Sequence, residues 1–89
     1  MALLDLLGRR WALRILWELR NGPIATFREL QARCGDISSS VLNDRVRELR
    51  EAGIVEADAY ELTRDGRELL EALGPIDSWA RRWGARQSR

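Results

Sequence analysis

The apolar residues of this chain recur with helical spacing over most of its length and with strand-like spacing over only a few positions. Across residues 10–20, Trp11, Leu13, Ile15, Leu16, Trp17 and Leu19 cover so wide an arc that the segment must be buried on several sides, which predicts a central helix. Thr26 and Glu29 stand in the capping-box relation, so Thr26 should cap a short helix ending near Cys34. Gly35-Asp36 then supplies a turn. Ser38 can cap a further helix running to about Ala52, with Leu42, Val46 and Leu49 on one stripe and Ser40, Asn43, Asp44, Arg47, Arg50 and Glu51 projecting from the other side. Gly53 stops it.

Two short extended runs follow, Ile54-Val55-Glu56-Ala57 and Tyr60-Glu61-Leu62, joined through Asp58-Ala59 as a small hairpin. Thr63 should cap another helix carrying Leu69, Leu70 and Leu73 as far as Gly74, and Pro75 should begin a last one with Ile76, Trp79, Ala80 and Trp83 on one face. Gly22-Pro23 and Gly74-Pro75 thus punctuate one domain rather than separate two. The expected fold is mainly α with a small β-hairpin: a winged helix-turn-helix whose core spans residues 10–62, with extra N- and C-terminal helices.

Length bears on assembly. Eighty-nine residues make one domain, 1–89, with a modest core, and such a chain often gains stability from disulfides, a metal or a partner subunit. Its single cysteine, Cys34, closes no intrachain disulfide, and the absence of histidine leaves no thiol and imidazole set for zinc. No metal or cofactor is expected, and a reducing cytoplasm suits the composition. The leucine-rich start lacks the basic lead and cleavage site of a secretory signal, and no later stretch could span a bilayer. A partner subunit remains, so residues 1–9 and 75–89 are the candidate dimerisation segments, through Leu3, Leu4, Leu7, Ile76, Trp79, Ala80 and Trp83. Trp79 and Trp83 could instead complete the monomer's core; the seam is favoured because the N-terminal leucines form a second apolar surface that so small a domain would struggle to cover. Trp11 and Trp17 are expected in the core, as is Cys34.

The formal net charge is only +1, but its distribution is uneven. All fifteen basic residues are arginines. Arg81, Arg82, Arg86 and Arg89 end the chain without an acid among them, whereas Glu56 to Asp77 is predominantly acidic. Those carboxylates have no glycine-spaced ligand loop and are spread by helical periodicity, so a solvated face explains them better than a calcium site or an acid-base pair.

In order along the chain, Leu7-Gly8-Arg9-Arg10-Trp11, Phe27-Arg28-Glu29-Leu30, Ile37-Ser38 through Val41-Leu42, Arg45-Val46-Arg47-Glu48-Leu49, Glu51-Ala52-Gly53-Ile54-Val55-Glu56 and Tyr60-Glu61-Leu62-Thr63 with Gly66-Arg67-Glu68-Leu69-Leu70 resemble the HxlR family of bacterial winged-helix regulators. The resemblance implies a homodimeric transcription factor whose helix from Ser38 enters the major groove of double-stranded DNA while terminal helices pair the subunits. This chain lacks the cysteine that relatives often carry before the first helix, so no cysteine sensor is expected. Its wing, Glu56-Ala57-Asp58-Ala59-Tyr60-Glu61, is short and acidic, and Ser40 and Asp44 stand where basic or long polar residues are common, which points to low affinity.

Candidate DNA contacts follow from the helices. Asn43 and Arg47 could read adenine and guanine, although solvated pairings with each other and with Glu51 would explain the same residues, and the resemblance tips the choice toward reading. Ser38, Ser39 and Ser40 offer hydroxyls and helix-start amides to a phosphate; Thr26 and Arg28 do so from the preceding helix, and Asp44 and Arg50 lie on the outward face. Arg45 lies nearer the apolar stripe, its stem on the core and its head toward a carboxylate or a phosphate. The expected function is dimeric, DNA-binding transcription regulation, with no enzymatic activity; the alternative is a winged-helix protein-interaction module with weak or no DNA binding. No feature of the sequence names a small-molecule effector.

Overall fold

A computed structural model describes residues 2–87; Met1, Ser88 and Arg89, which fall in the expected terminal segments, lie outside the described residues. The chain forms five helices among these residues: α1 (Ala2–Leu7), α2 (Ala12–Glu18), α3 (Phe27–Cys34), α4 (Ser39–Glu51) and α5 (Arg64–Gln87). Helix α2 packs against each of the other four and is the central helix that its apolar arc predicts. Ala12 is buried, and Ile15, Leu16 and the following Leu19 form one buried cluster with Ile24, Leu30, Cys34, Ile37, Leu42, Val46, Leu49, Ile54, Val55 and Leu62. The arc is narrower than expected, however. Leu13 remains 47% exposed and Trp17 39%, its indole covered on one side by the Arg20 guanidinium 3.8 Å from the ring centroid.

Local chemistry sets the helix ends. Thr26 Oγ1 accepts from Glu29 N at 3.1 Å and Ser38 Oγ from Val41 N at 3.2 Å, each satisfying one of the amides that a helix start leaves open. Gly35 follows α3 at φ 85°, a left-handed setting that glycine adopts without steric cost. Gln31 Nε2 donates to the Ile37 carbonyl at 3.3 Å and so stitches α3 to the turn before α4.

The wing is smaller than the expected hairpin. Val55 and Leu62 form one antiparallel bridge and Glu56 N donates to Glu61 O at 2.9 Å, while Tyr60 pairs with Ile24 on the far side of the chain through Ile24 N to Tyr60 O, also 2.9 Å. The six residues from 56 to 61 are therefore mostly loop, because Tyr60 is drawn to residue 24 instead of continuing a ladder with residue 57. Thr63 caps α5 as expected, accepting from Gly66 N at 3.0 Å, and its hydroxyl also donates to Gly53 O at 2.6 Å.

The expectation of two C-terminal helices is corrected: one helix runs through Gly74 and Pro75 from Arg64 to Gln87. Proline removes one intrahelical bond, the one to the carbonyl of Glu71, and Glu71 is solvent-exposed, so water can take that carbonyl's open acceptor. Beyond Leu73 almost every residue of α5 is exposed, which leaves its C-terminal half outside the monomer's core.

Candidate nucleic-acid interface

Helix α4 shows two chemically distinct sides. Leu42, Val46 and Leu49 are buried, and the exposed positions Ser39, Ser40, Asn43, Arg47 and Glu51 fall on the opposite side at spacings of three and four residues. A protruding, capped helix with small hydroxyls at its start and an amide and a guanidinium along its middle has the shape and donor set for a major groove.

The candidate residues differ in how free they are. Among the described residues no hydrogen bond or ion pair holds the side chains of Asn43 or Arg28, both exposed. Ser39 and Ser40 are exposed at the helix start, while the oxygens of Ser38 and Thr26 already accept cap bonds. Arg47 Nη2 lies 3.3 Å from Asp44 Oδ1, with both side chains about half-exposed or more, so this ion pair replaces the Asn43 and Glu51 pairings anticipated for a solvated face. An exposed pair of this kind is worth little and can open to a stronger partner.

Arg50 needs correction. Its Nε donates to Glu56 O at 2.8 Å, its Nη2 to Ala59 O at 3.3 Å, and its guanidinium lies 5.1 Å from the Tyr60 ring centroid. It is a strut that holds the wing loop to α4 and is not free on the outward face. Arg45 behaves as its position implies, with a side chain only 17% exposed and its head paired to Glu48.

The candidate dimerisation residues lie largely outside the core. Ile76 is 60% exposed, Trp79 51% and Trp83 48%, with the two indoles stacked at 5.9 Å and 8° between planes. Completion of the monomer's core by these rings is thereby ruled out. Ala80 is exposed as well; in α1, Leu3 and Leu4 are exposed and Leu7 leans on the core. Leu13, Trp17, Leu70, Leu73 and Ile76 line an open groove of about 410 Å³ between α2 and α5, which extends this apolar surface.

Cys34 is buried, and its thiol pKa is raised, first by burial, then by the Glu18 carboxylate, against a smaller opposing effect of Arg14. Among the described residues no group of three or more Cys, Asp or Glu is placed to hold a metal ion, and no helix is long and apolar enough to cross a membrane. The sequence reading passed over several positions that matter here. Ile24 completes the wing's second bridge, Gln31 ties α3 to the turn, and Arg9 and Glu48 face each other across the fold. None carries a local pattern that would single it out.

A family model described as HxlR-like helix-turn-helix matches residues 6–88. The HTH-type transcriptional regulator YvaP of Bacillus subtilis (strain 168) is 35% identical over 88 residues, covering 89% of this chain and 81% of YvaP. The crystal structure of quinone-bound YodB from B. subtilis superposes with a TM-score of 0.83 at 32% identity, over 91% of this chain and 93% of YodB. A protein described as a transcriptional regulator of the MarR family from Enterococcus faecalis V583 gives a TM-score of 0.80 at 27% identity, over 97% of this chain and 86% of that one.

Proposed function

The chain belongs to the HxlR-like helix-turn-helix family of DNA-binding transcriptional regulators, and from that premise we propose that it acts as a cytoplasmic homodimer, without enzymatic activity, that reads duplex DNA through the exposed face of α4. The observation that carries this reading is the capped, two-sided α4, whose outward positions Ser39, Ser40, Asn43 and Arg47 are solvent-exposed while its inward stripe is fully engaged. Arg47 and Asn43 read base edges; Ser38, Ser39, Ser40, Thr26 and Arg28 contact phosphates and fix register. Asp44 holds Arg47 in the unbound protein and releases it to guanine. The dimer is supported by the exposed apolar stripe of α5 and by Leu3 and Leu4 of α1. YodB has been crystallised with a quinone; a thiol-reactive quinone would find no exposed thiol here, since the only cysteine is buried.

Selection of a preferred duplex from a random pool, followed by affinity measurements on Arg47→Ala and Arg28→Ala, tests the assignment. Arg47→Ala should cost about 1–3 kcal/mol on the preferred duplex and flatten discrimination at one base position, with much less loss on random duplex. Arg28→Ala should weaken both duplexes alike and reduce the slope of affinity against salt. Equal losses on both duplexes would remove Arg47 from base reading. Absence of any effect from either change would favour the protein-interaction reading, in which the same exposed faces, the acidic wing and α4, meet another protein.

A further inference from the structure

Between α1 and α2 the chain turns through an elbow at residues 8–11, where Gly8 N donates to Leu4 O at 2.8 Å and Trp11 adopts φ 78°. A tryptophan in the left-handed region is uncommon and needs its surroundings to hold it there. Part of what holds it comes from α4: Arg45 Nε donates to the Arg10 carbonyl at 3.2 Å, and Arg9 Nε lies 3.2 Å from Glu48 Oε2. Arg45 Nη1 in turn binds the other oxygen of Glu48, so one carboxylate and two guanidiniums link α4 to the elbow.

This linkage is poorly suited to a role in stability alone. Glu48 Oε2 is enclosed yet has no aligned hydrogen-bond donor among the described residues; Arg9 is near enough to attract it but does not aim an N–H at it. Enclosing a carboxylate oxygen without a donor is unfavourable, and an apolar side chain of similar volume would serve packing as well or better. The core is already closed by Leu42, Val46 and Leu49 on the same helix. What the ionic linkage adds is a fixed relation between α4 and the elbow.

We propose that Glu48 and Arg45 are positioning residues for DNA reading, which lock α4 to the elbow so that the seating of α1 sets the aim of Ser40, Asn43 and Arg47. This inference rests on the reading of α4 as the recognition helix. Arg47 and Glu48 are neighbours in sequence, so a rotation of α4 that breaks the contact to Arg9 also re-aims the outward face. Helix α1 reaches the same place: Asp5, Leu6 and Arg9 form one wall of an open cleft whose other wall is Glu48, Glu51 and Ala52.

The test compares Glu48→Gln, Glu48→Met, Arg9→Gln and the double change Arg9→Gln with Glu48→Gln, each measured for thermal midpoint and for affinity to the selected and to random duplex. Glu68→Gln is the control, because it removes the same charge from an exposed site on α5, away from the elbow and from the outward face of α4. Glu48→Met should fold with an unchanged or higher midpoint while its preference for the selected duplex falls about fivefold, and the double change should lose no more than the worse single one. Glu68→Gln should keep the wild-type preference. If Glu48→Met does not fold, the near-isosteric Glu48→Gln carries the comparison. Wild-type preference in the Glu48 variants, or loss confined to variants with a lowered midpoint, would overturn the positioning role alone. A wild-type protein that prefers no duplex would overturn it together with the recognition-helix assignment.

Discussion

Trp79 and Trp83 give the dimer proposal a magnitude. Each is about half exposed in the monomer, 51% and 48%, so roughly 120 Å² of an indole side chain that can bury up to about 250 Å² awaits cover. At about 25 cal/mol per Å² that area corresponds to ~3 kcal/mol per ring. A two-fold seam would contain each ring twice, so Trp79→Ala would weaken dimerisation by up to about 6 kcal/mol, roughly four decades in dissociation constant. Rotational and translational losses do not alter this difference, since both proteins incur them. Because the rings lie outside the core cluster, the substitution should leave the monomer folded, and circular dichroism should show unchanged helix content. Sedimentation equilibrium across nanomolar to high micromolar concentration measures the shift. A wild-type monomer at micromolar concentration, or a Trp79→Ala, Trp83→Ala variant that dimerises as tightly as wild type, would refute the seam.

Two further outcomes follow from packing. A Cβ on Gly66 would stand 2.2 Å from the Ile54 carbonyl oxygen, so Gly66→Ala should lower the thermal midpoint by roughly 10 °C through overpacking of about 1–3 kcal/mol, and a raised midpoint, as helix propensity alone would give, would contradict this close approach. Cys34→Val should preserve folding and DNA affinity under oxidising and reducing conditions alike, and the native thiol should resist alkylation until the protein unfolds. Since burial raises the folded-state pKa of Cys34, its contribution to stability is intact below the unfolded thiol's pKa and is lost as pH climbs through the raised value; alkaline melts of wild type and Cys34→Val, compared side by side, measure that loss.

What the sequence made legible were features with local causes. Thr26, Ser38 and Thr63 cap helices because each hydroxyl meets an amide three residues away, a relation written within four letters. The inward stripe of α4 follows from spacing alone. The failures share a different cause. Leu13 and Trp17 are as apolar as Ile15 and Leu16, and spacing cannot tell a residue facing its own core from one facing outward. Gly74-Pro75 looks like a helix boundary because both residues are poor helix formers, yet the cost falls on a carbonyl that water can satisfy. Arg50 sits on the polar side of α4, and only the three-dimensional path of residues 56–60 shows that the wing captures it. The approach of Arg9 to Glu48 joins residues 39 positions apart and has no local signature at all.

The electrostatics of the proposed interface bear on what a dimer would add. Among the described residues Arg28 has no ion-pair partner on the exposed side of α3, Arg47 would have to leave Asp44 to serve DNA, and Arg50 is held by the wing, whose Glu56, Asp58 and Glu61 would be repelled by phosphate. With Arg28 the one guanidinium per subunit assigned to phosphate, each subunit would give a salt slope near about −1, a weak grip by the standards of counterion release. Two subunits joined through α5 would double the slope to about −2 and add the second half-site at high effective concentration, so affinity would rise far more than twofold. On the proposed contacts a single copy would hold a site weakly, and base reading by Asn43 and Arg47 would discriminate only if something else supplied residence on the duplex. In the proposed assembly that supply comes from the apolar surface of α5, which makes the stacked tryptophans as necessary to DNA binding as the arginine that reads the base.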